Sequence, residues 1–387
     1  MASEMRVYQE WKEMGPDHSN EKRNYGIDIL KIFAMIGIVG LHVLGHGGIL
    51  QNVQPGIKYI LAWGFEVLFS CCVNVYALIS GYIGISKKQY SISKLFQLWF
   101  EVFFYGVVIW LLMSTFTQYE ISGMRLLEAI MPVSSREYWY FTAYVGLFCI
   151  MPLLNYVLRH INKTAAVKVV LGIVLLSGYA TVVRVFGDPL TLKDGCTYVW
   201  ISILYIIGGL IRKYKSYLNI SAKFMGVAIG VAFLFTLLWK VGFGMFEITI
   251  FGRNVGGLFI TSVSPPMLIM AICFLLIFAD VRISSLSMKV VRFVVPCTFG
   301  VYILHDNPLI REYIISDSLI SVCEKSTLEF FVIIVCVILI VFATGVLIDK
   351  LRILLFRVLR INRISDELAK IFESVSKRTI EFIVRER

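Results

Sequence analysis

The 387-residue chain is 58% hydrophobic and only 16% charged, with a mean hydropathy of +0.78. Ordinary soluble domains carry about 25% charged residues, so this composition excludes a soluble enzyme and leaves an all-α, polytopic membrane bundle. The net charge of +11 in such a chain reports orientation and contact with anionic lipid, which removes nucleic acid as a partner.

Residues 1–23 are polar and charged and read as a cytoplasmic N-terminal segment. No short apolar stretch with a cleavage site precedes the first long apolar run, so that run is retained as a span. Apolar runs predict about ten spanning helices, near 26–46, 59–84, 94–116, 138–158, 167–186, 197–211, 222–240, 256–279, 293–314 and 328–348. Alternating the intervening segments between two sides puts 27 of the 37 basic residues on one side and nine on the other. The positive-inside rule then sets both termini in the cytoplasm of a multi-pass protein of the cell membrane. Between spans, Ile121, Met124, Leu127, Ile130 and Met131 predict a short interfacial helix. After the membrane domain of 24–348, residues 349–387 alternate basic and apolar positions, the pattern of an amphipathic cytoplasmic tail lying on anionic lipid.

Eight cysteines are scattered, six of them within apolar runs and without metal-ligand spacing; only Cys196 and Cys323 fall in loops where a disulfide is open to them. No metal site is expected. Internal repeats are absent, which weighs against a secondary transporter built on broken, repeated helices.

Ionisable residues inside spans are costly and tend to mark a path or a site. The first span carries Asp28, Lys31, His42 and His46. Eleven residues at 100° return almost to a whole turn, so Lys31 and His42 share a face about 16 Å apart along the axis. A snorkelling helix-end pair and a hydrogen-bonded histidine explain the same pattern, so spacing alone leaves both readings open. Glu66 and Asn74 in the second span, Glu101 in the third, Arg184 in the fifth, and His305 with Asp306 in the ninth are further candidates. In that ninth span Asp306-Asn307-Pro308 should break the helix and expose backbone groups, tolerated only beside protein or water.

Four stretches occur in a set order: Asp28-Ile29-Leu30-Lys31 with His42 eleven residues on, Ser80-Gly81-Tyr82, Trp139-Tyr140-Phe141 through Gly146-Leu147 to Pro152-Leu153-Leu154, and Phe299-Gly300-Val301-Tyr302-Ile303-Leu304-His305. Together they resemble the acyltransferase 3 family, integral-membrane acyltransferases that modify cell-surface glycans. The resemblance implies acyl-CoA, usually acetyl-CoA, as cytoplasmic donor and a hydroxyl of a surface or lipid-linked polysaccharide as acceptor, with no metal. It implies that Lys31 and His42 form the functional core, Lys31 standing where most members carry arginine; lysine keeps the charge without the bidentate fork. On this reading His42 is the catalytic imidazole, with His305 positioning the acceptor or partnering it. Lys31, Lys87, Lys88 and Lys94 would hold the donor phosphates, and Asp28, Glu66, Trp139, Tyr140 and Asp306 would contact substrate. The aromatic pair equally suits an ordinary interfacial belt. Two rival classes are a proton-coupled transporter or exporter using Asp28, Glu66, Glu101 and His42 as a relay, and a non-catalytic partner in glycan assembly.

Overall fold

The computed structural model describes residues 23–86, 91–119 and 121–385. Among them, eight helices are long and apolar enough to cross a membrane. In chain order the helices are α1 (Tyr25–His46), α2 (Ile57–Gly84), α3 (Ile92–Phe116), the short amphipathic α4 (Gly123–Ile130), α5 (Trp139–His160), α6 (Lys163–Val183), α7 (Tyr198–Tyr214) and α8 (Ala222–Trp239). There follow α9 (Pro265–Ala279), α10 (Ser285–Val294), α11 (Thr298–His305), α12 (Thr327–Val358) and α13 (Ile361–Arg385). The protein is an integral membrane helical bundle.

Ten expected spans thus meet eight long ones, with shorter helices, α7 and α9, at the sixth and eighth positions. The 15 residues of α9 reach about 22 Å at 1.5 Å per residue, less than the hydrocarbon core. Its start is fixed by Pro265 and Pro266 in the first turn, where missing N–H groups cost nothing. The residues expected to begin this span instead follow a two-stranded hairpin, Thr249–Ile250 against Arg253–Asn254, through successive turns. The seventh long apolar helix, Ser285–His305, is composite: α10 and α11 are joined through a tight turn at Val295–Cys297 that contains Pro296. The last span runs ten residues past the expected end, and the change of direction falls at Arg360, which has φ 53°. Beyond it α13 packs along α3, where Ser93 donates to Asp366. The eight cysteines, Cys196 and Cys323 included, are free thiols.

The bundle is centred on α2, which packs most extensively against α1 and α7. Lipid supplies no hydrophobic drive between helices, so close approach rests on small residues and polar links. At the α2–α7 seam a Cβ added to Gly208 would lie 2.0 Å from the Leu78 carbonyl oxygen, and one on Gly81 would lie 1.9 Å from that of Tyr205. Buried side chains tie the same seam together. Asn74 donates to the Ser262 carbonyl (2.7 Å) and accepts from the Trp200 indole (3.1 Å), while Asn155 bridges the Gly84 carbonyl and the Tyr205 hydroxyl. Because both partners at Gly208 are backbone, Gly208→Ala is expected to force the two helices apart and sharply reduce the folded, monodisperse yield. Fluorescence-detected size exclusion checks this, with Gly226→Ala, which meets nothing within 4 Å, as the neutral control.

Glu101, one of the intramembrane acids, is accounted for by packing. Arg352 of α12 contacts Glu101 at 3.1 Å and holds Asp349 in a two-pronged pair at 2.8 and 2.9 Å, and Tyr105 donates to Asp349 at 2.8 Å. A buried charge needs such partners, and here they lock α3 to the final span.

Candidate active site

The one-turn spacing of His42 and His46 stacks their rings at the end of α1, with centroids 5.3 Å apart. From the other direction α11 ends at His305, whose ring lies 4.9 Å from that of His42. The helix stops there for the reason legible in the sequence. Asn307 caps a new helical start by accepting from the Leu309 and Ile310 amides, and Pro308 occupies its first position. The cap's own amide group donates to the Tyr138 hydroxyl at 2.8 Å, so the break is pinned to the start of α5.

Asp306, buried in that break, brings charge to the histidines. Its Oδ1 lies 3.6 Å from His42 Nδ1 and 3.1 Å from the Arg311 guanidinium. Arg311 opens a wide π-turn, Arg311–Ile315, a distortion common at functional sites. The chain then folds over the end of α1, where the amides of Asp317 and Leu319 donate to the carbonyls of His46 and Gly47.

The hydrogen bonds constrain the protons. His305 Nδ1 lies 2.6 Å from the Val301 carbonyl. A carbonyl only accepts, so Nδ1–H donates, and the neutral ring carries its lone pair on Nε2. That Nε2, His42 Nδ1 and the Tyr302 hydroxyl are buried without a hydrogen-bond partner among the described residues. Buried polar atoms are rarely left so outside functional sites. Chemically, a carboxylate beside one imidazole orients it and stabilises the imidazolium formed when it takes a proton. The second imidazole, its ring centroid 4.9 Å away, offers a further lone pair.

His42, His46 and Asp306 are also a donor set for a divalent cation, their ligand atoms lying within 4.8 Å of one another. Zinc bonds of about 2.0–2.2 Å would require these atoms to draw together and Asp306 to share an oxygen already engaged by Arg311.

At the opposite end of α1, Lys31 Nζ contacts Asp28 at 3.2 Å, and Arg23 pairs with the same carboxylate. These three line a cavity of about 470 Å³ with Asn24, Tyr82 and Arg212. Arg212 donates to the Tyr82 hydroxyl at 3.2 Å and lies over its ring. Since α1 is continuous from Tyr25 to His46, the offset of about 16 Å between Lys31 and His42 follows from helix rise. Lys94 is elsewhere, in a separate cavity of about 520 Å³ beside Glu101, Arg352 and Arg357. Lys87 and Lys88 lie outside the described residues. Lys94 is therefore parted from Lys31, and among the described residues Arg23 and Arg212 are the bases that line the cavity with Lys31.

Of the remaining candidates, Tyr140 packs between Trp139 and Tyr302, with centroids 5.4 and 6.3 Å away, and Tyr302 in turn lies 6.3 Å from His305. Tyr140 thus backs the ring that faces His305, and Trp139 lies one ring farther out. Glu66 is on α2, with Oε2 buried and unpartnered among the described residues.

Sequence reasoning passed over Arg311, Tyr138 and Arg212. Arg311 counts in the sequence only as a base at the end of the ninth expected span. Its role depends on the helix ending at His305, which was itself signalled by Asn307-Pro308.

The loop ahead of α5 carries an acid that senses pH. Burial, and then repulsion from Glu128, push the Glu137 carboxyl up from 4.5 to about 7, with Arg125 opposing. Arg125 in turn contacts Glu312 of the π-turn at 2.8 Å. An acid whose pKa is raised by folding is most favourable to the fold while protonated in both states; between 4.5 and about 7 the folded state holds the proton more tightly, so stability falls as pH rises. The melting temperature of the detergent-solubilised protein should decline across that window, and Glu137→Gln should flatten the decline. An unchanged slope in the variant would assign it to another group.

Comparison with known proteins is consistent with this geometry. The family model described as an acyltransferase domain matches residues 24–348, the whole bundle from α1 into α12. No curated protein and no solved structure matches the chain.

Proposed function

Because the chain belongs to that family of membrane acyltransferases, we propose that it transfers an acyl group, acetyl in the first instance, from cytoplasmic acyl-CoA to a hydroxyl of a cell-surface or lipid-linked polysaccharide. The single observation that carries the reading is the arrangement on α1. A continuous helix joins a basic cavity around Lys31 to a buried His42–Asp306–His305 cluster. The excess of bases on the Lys31 side supports a cytoplasmic mouth for that cavity, within reach of CoA.

In this scheme the phosphates of CoA rest among Arg23, Lys31 and Arg212, where charge-assisted hydrogen bonds are strong. The pantetheine arm runs along α1, bringing the thioester to the histidines. His42 takes the proton of the acceptor hydroxyl while the oxygen attacks the thioester carbonyl. The C–S bond then breaks, and the proton passes from the imidazolium to the departing thiolate. Asp306 holds the imidazolium and Arg311 holds Asp306. A two-step version, in which His42 or His305 first accepts the acyl group and then yields it to the hydroxyl, uses the same atoms. His46 and Asp306 serve the imidazole rather than a metal in this reading, because the Asp306 oxygen is held by Arg311. Transfer is accordingly expected to persist, within about twofold, after treatment with EDTA and 1,10-phenanthroline. Loss of activity restored by added zinc would transfer the cluster to metal chemistry.

Comparison of O-acetyl content in surface polysaccharide from cells with and without the gene, by proton NMR, tests the proposal. The acetyl signal should vanish on deletion, return with the wild-type gene and stay absent with His42→Ala. Unaltered glycan in the deletion strain would count against it.

A further inference from the structure

We propose that Trp63 and Glu66 of α2, together with Lys240 at the end of α8, form a subsite that binds the hydroxyls of the acceptor sugar. This rests on the function proposed above and names where its second substrate is held. Trp63 and Glu66 are one turn apart, and both the Trp63 indole nitrogen and Glu66 Oε2 are buried without a hydrogen-bond partner among the described residues. Lys240 is 9% exposed, and its ammonium sits 3.5 Å from the centre of the Trp63 ring. It opens a second π-turn, Lys240–Gly244, which aims it at α2 rather than towards water. Lys240 and Glu66 attract each other through charge, but the ammonium rests on the indole ring. Tyr59, buried one turn earlier, closes the far side, its ring 6.0 Å from that of Trp63.

The carboxyl oxygen of Glu66 and the indole N–H of Trp63 thus stand without a hydrogen-bond partner among the described residues, beside an ammonium that lies over the indole ring. Leaving the two buried atoms unpaired is costly, and the class of ligand that would satisfy both next to that ammonium is restricted. An anion would pair with Lys240 but be repelled by Glu66, and a cation would suffer the reverse. A neutral group that both donates and accepts meets every requirement: hydroxyls donate to Glu66 and accept from Lys240 and from the indole. A vicinal diol on a sugar ring is that group.

The depth is appropriate for the proposed chemistry. Gly37 lies against Cys72 and Gly40 against Phe69, so in this antiparallel pair Glu66 falls level with Val43, next to His42. The remote part of an acceptor held there would be fixed at the level of the reacting atoms, which is how binding energy away from the bond being made promotes its formation.

The test is kinetic. Protein purified into nanodiscs is given radiolabelled acetyl-CoA and de-acylated polysaccharide extracted from the host surface, and KM is measured for each substrate. Glu66→Gln, Lys240→Met and Trp63→Phe are each expected to raise KM for the polysaccharide by roughly 10- to 100-fold, the loss of one buried hydrogen bond to substrate. KM for acetyl-CoA should stay within about twofold. The double variant Glu66→Gln/Lys240→Met, which keeps the local charge balanced, guards against misfolding and should show the same selective loss. A polysaccharide KM unaltered in the double variant, or equal rises for both substrates, would overturn the subsite while leaving the function standing. A wild-type protein that acylates no polysaccharide would overturn both.

Discussion

Alanine at position 42 is expected to lower acyl transfer by at least ~10²-fold, and by more than ~10⁴-fold if the imidazole carries the acyl group covalently. The expectation comes from the environment of the ring. His42 faces the buried Asp306 carboxylate at 3.6 Å and the His305 ring at 4.9 Å. Related changes should be graded by contact. Asp306→Asn keeps the shape and removes the charge that stabilises the imidazolium, so it should cost nearly as much. His305→Gln preserves a donor towards Val301 but removes the Nε2 lone pair, and its cost relative to His42→Ala separates a paired mechanism from a lone base. His46→Ala should be milder, since that ring lies a turn farther along α1. The rates are measured with purified, monodisperse proteins at saturating acetyl-CoA. Equal rates for His42→Ala and wild type would remove His42 from the chemistry.

The second large effect is expected at the other end of α1. Lys31→Ala should raise KM for acetyl-CoA by roughly 10- to 100-fold, the usual worth of a hydrogen bond to a charged group, while Lys31→Arg should stay close to wild type. The alanine change also frees Asp28, which then faces Arg23 alone. For that reason Asp28→Asn/Lys31→Ala should be no better than Lys31→Ala if the lysine serves the donor. Recovery in the double variant would mean that Lys31 only neutralises Asp28. The arginine and alanine variants giving the same KM would reduce Lys31 to a snorkelling helix end.

Much of this was legible in the sequence because α1 is one uninterrupted helix: period and spacing alone set Lys31 and His42 on a shared face. The break after His305 was equally local, written in Asn307-Pro308 as a cap followed by a proline. Three features were not legible, each for a tertiary reason. The charge of Lys94 says nothing about which cavity it lines, and it lies apart from Lys31 because α3 docks against α12 through Arg352 rather than against α1 at that end. Arg311 reaches Asp306 only because a wide turn follows the break. Glu66 and Lys240, 174 positions apart in sequence, meet through the packing of α8 on α2. Eight of the expected spans are long apolar helices among the described residues, and the eighth in chain order is shorter than expected because hydropathy marks apolar content and not where a helix starts. In α9 two prolines set the start, and the residues ahead of them fold as turns.

On the proposed route acyl groups enter at the Lys31 cavity and leave at the histidine cluster on the other side of the bundle. Proteoliposomes of uniform orientation, with radiolabelled acetyl-CoA supplied on one face only and de-acylated polysaccharide on the other, measure it directly. Label should pass to the polysaccharide when acetyl-CoA is on the face of Lys31, and not when the two substrates are exchanged, with His42→Ala silent in both arrangements. Transfer only when both substrates share a face, or undiminished transfer by His42→Ala, would contradict the account.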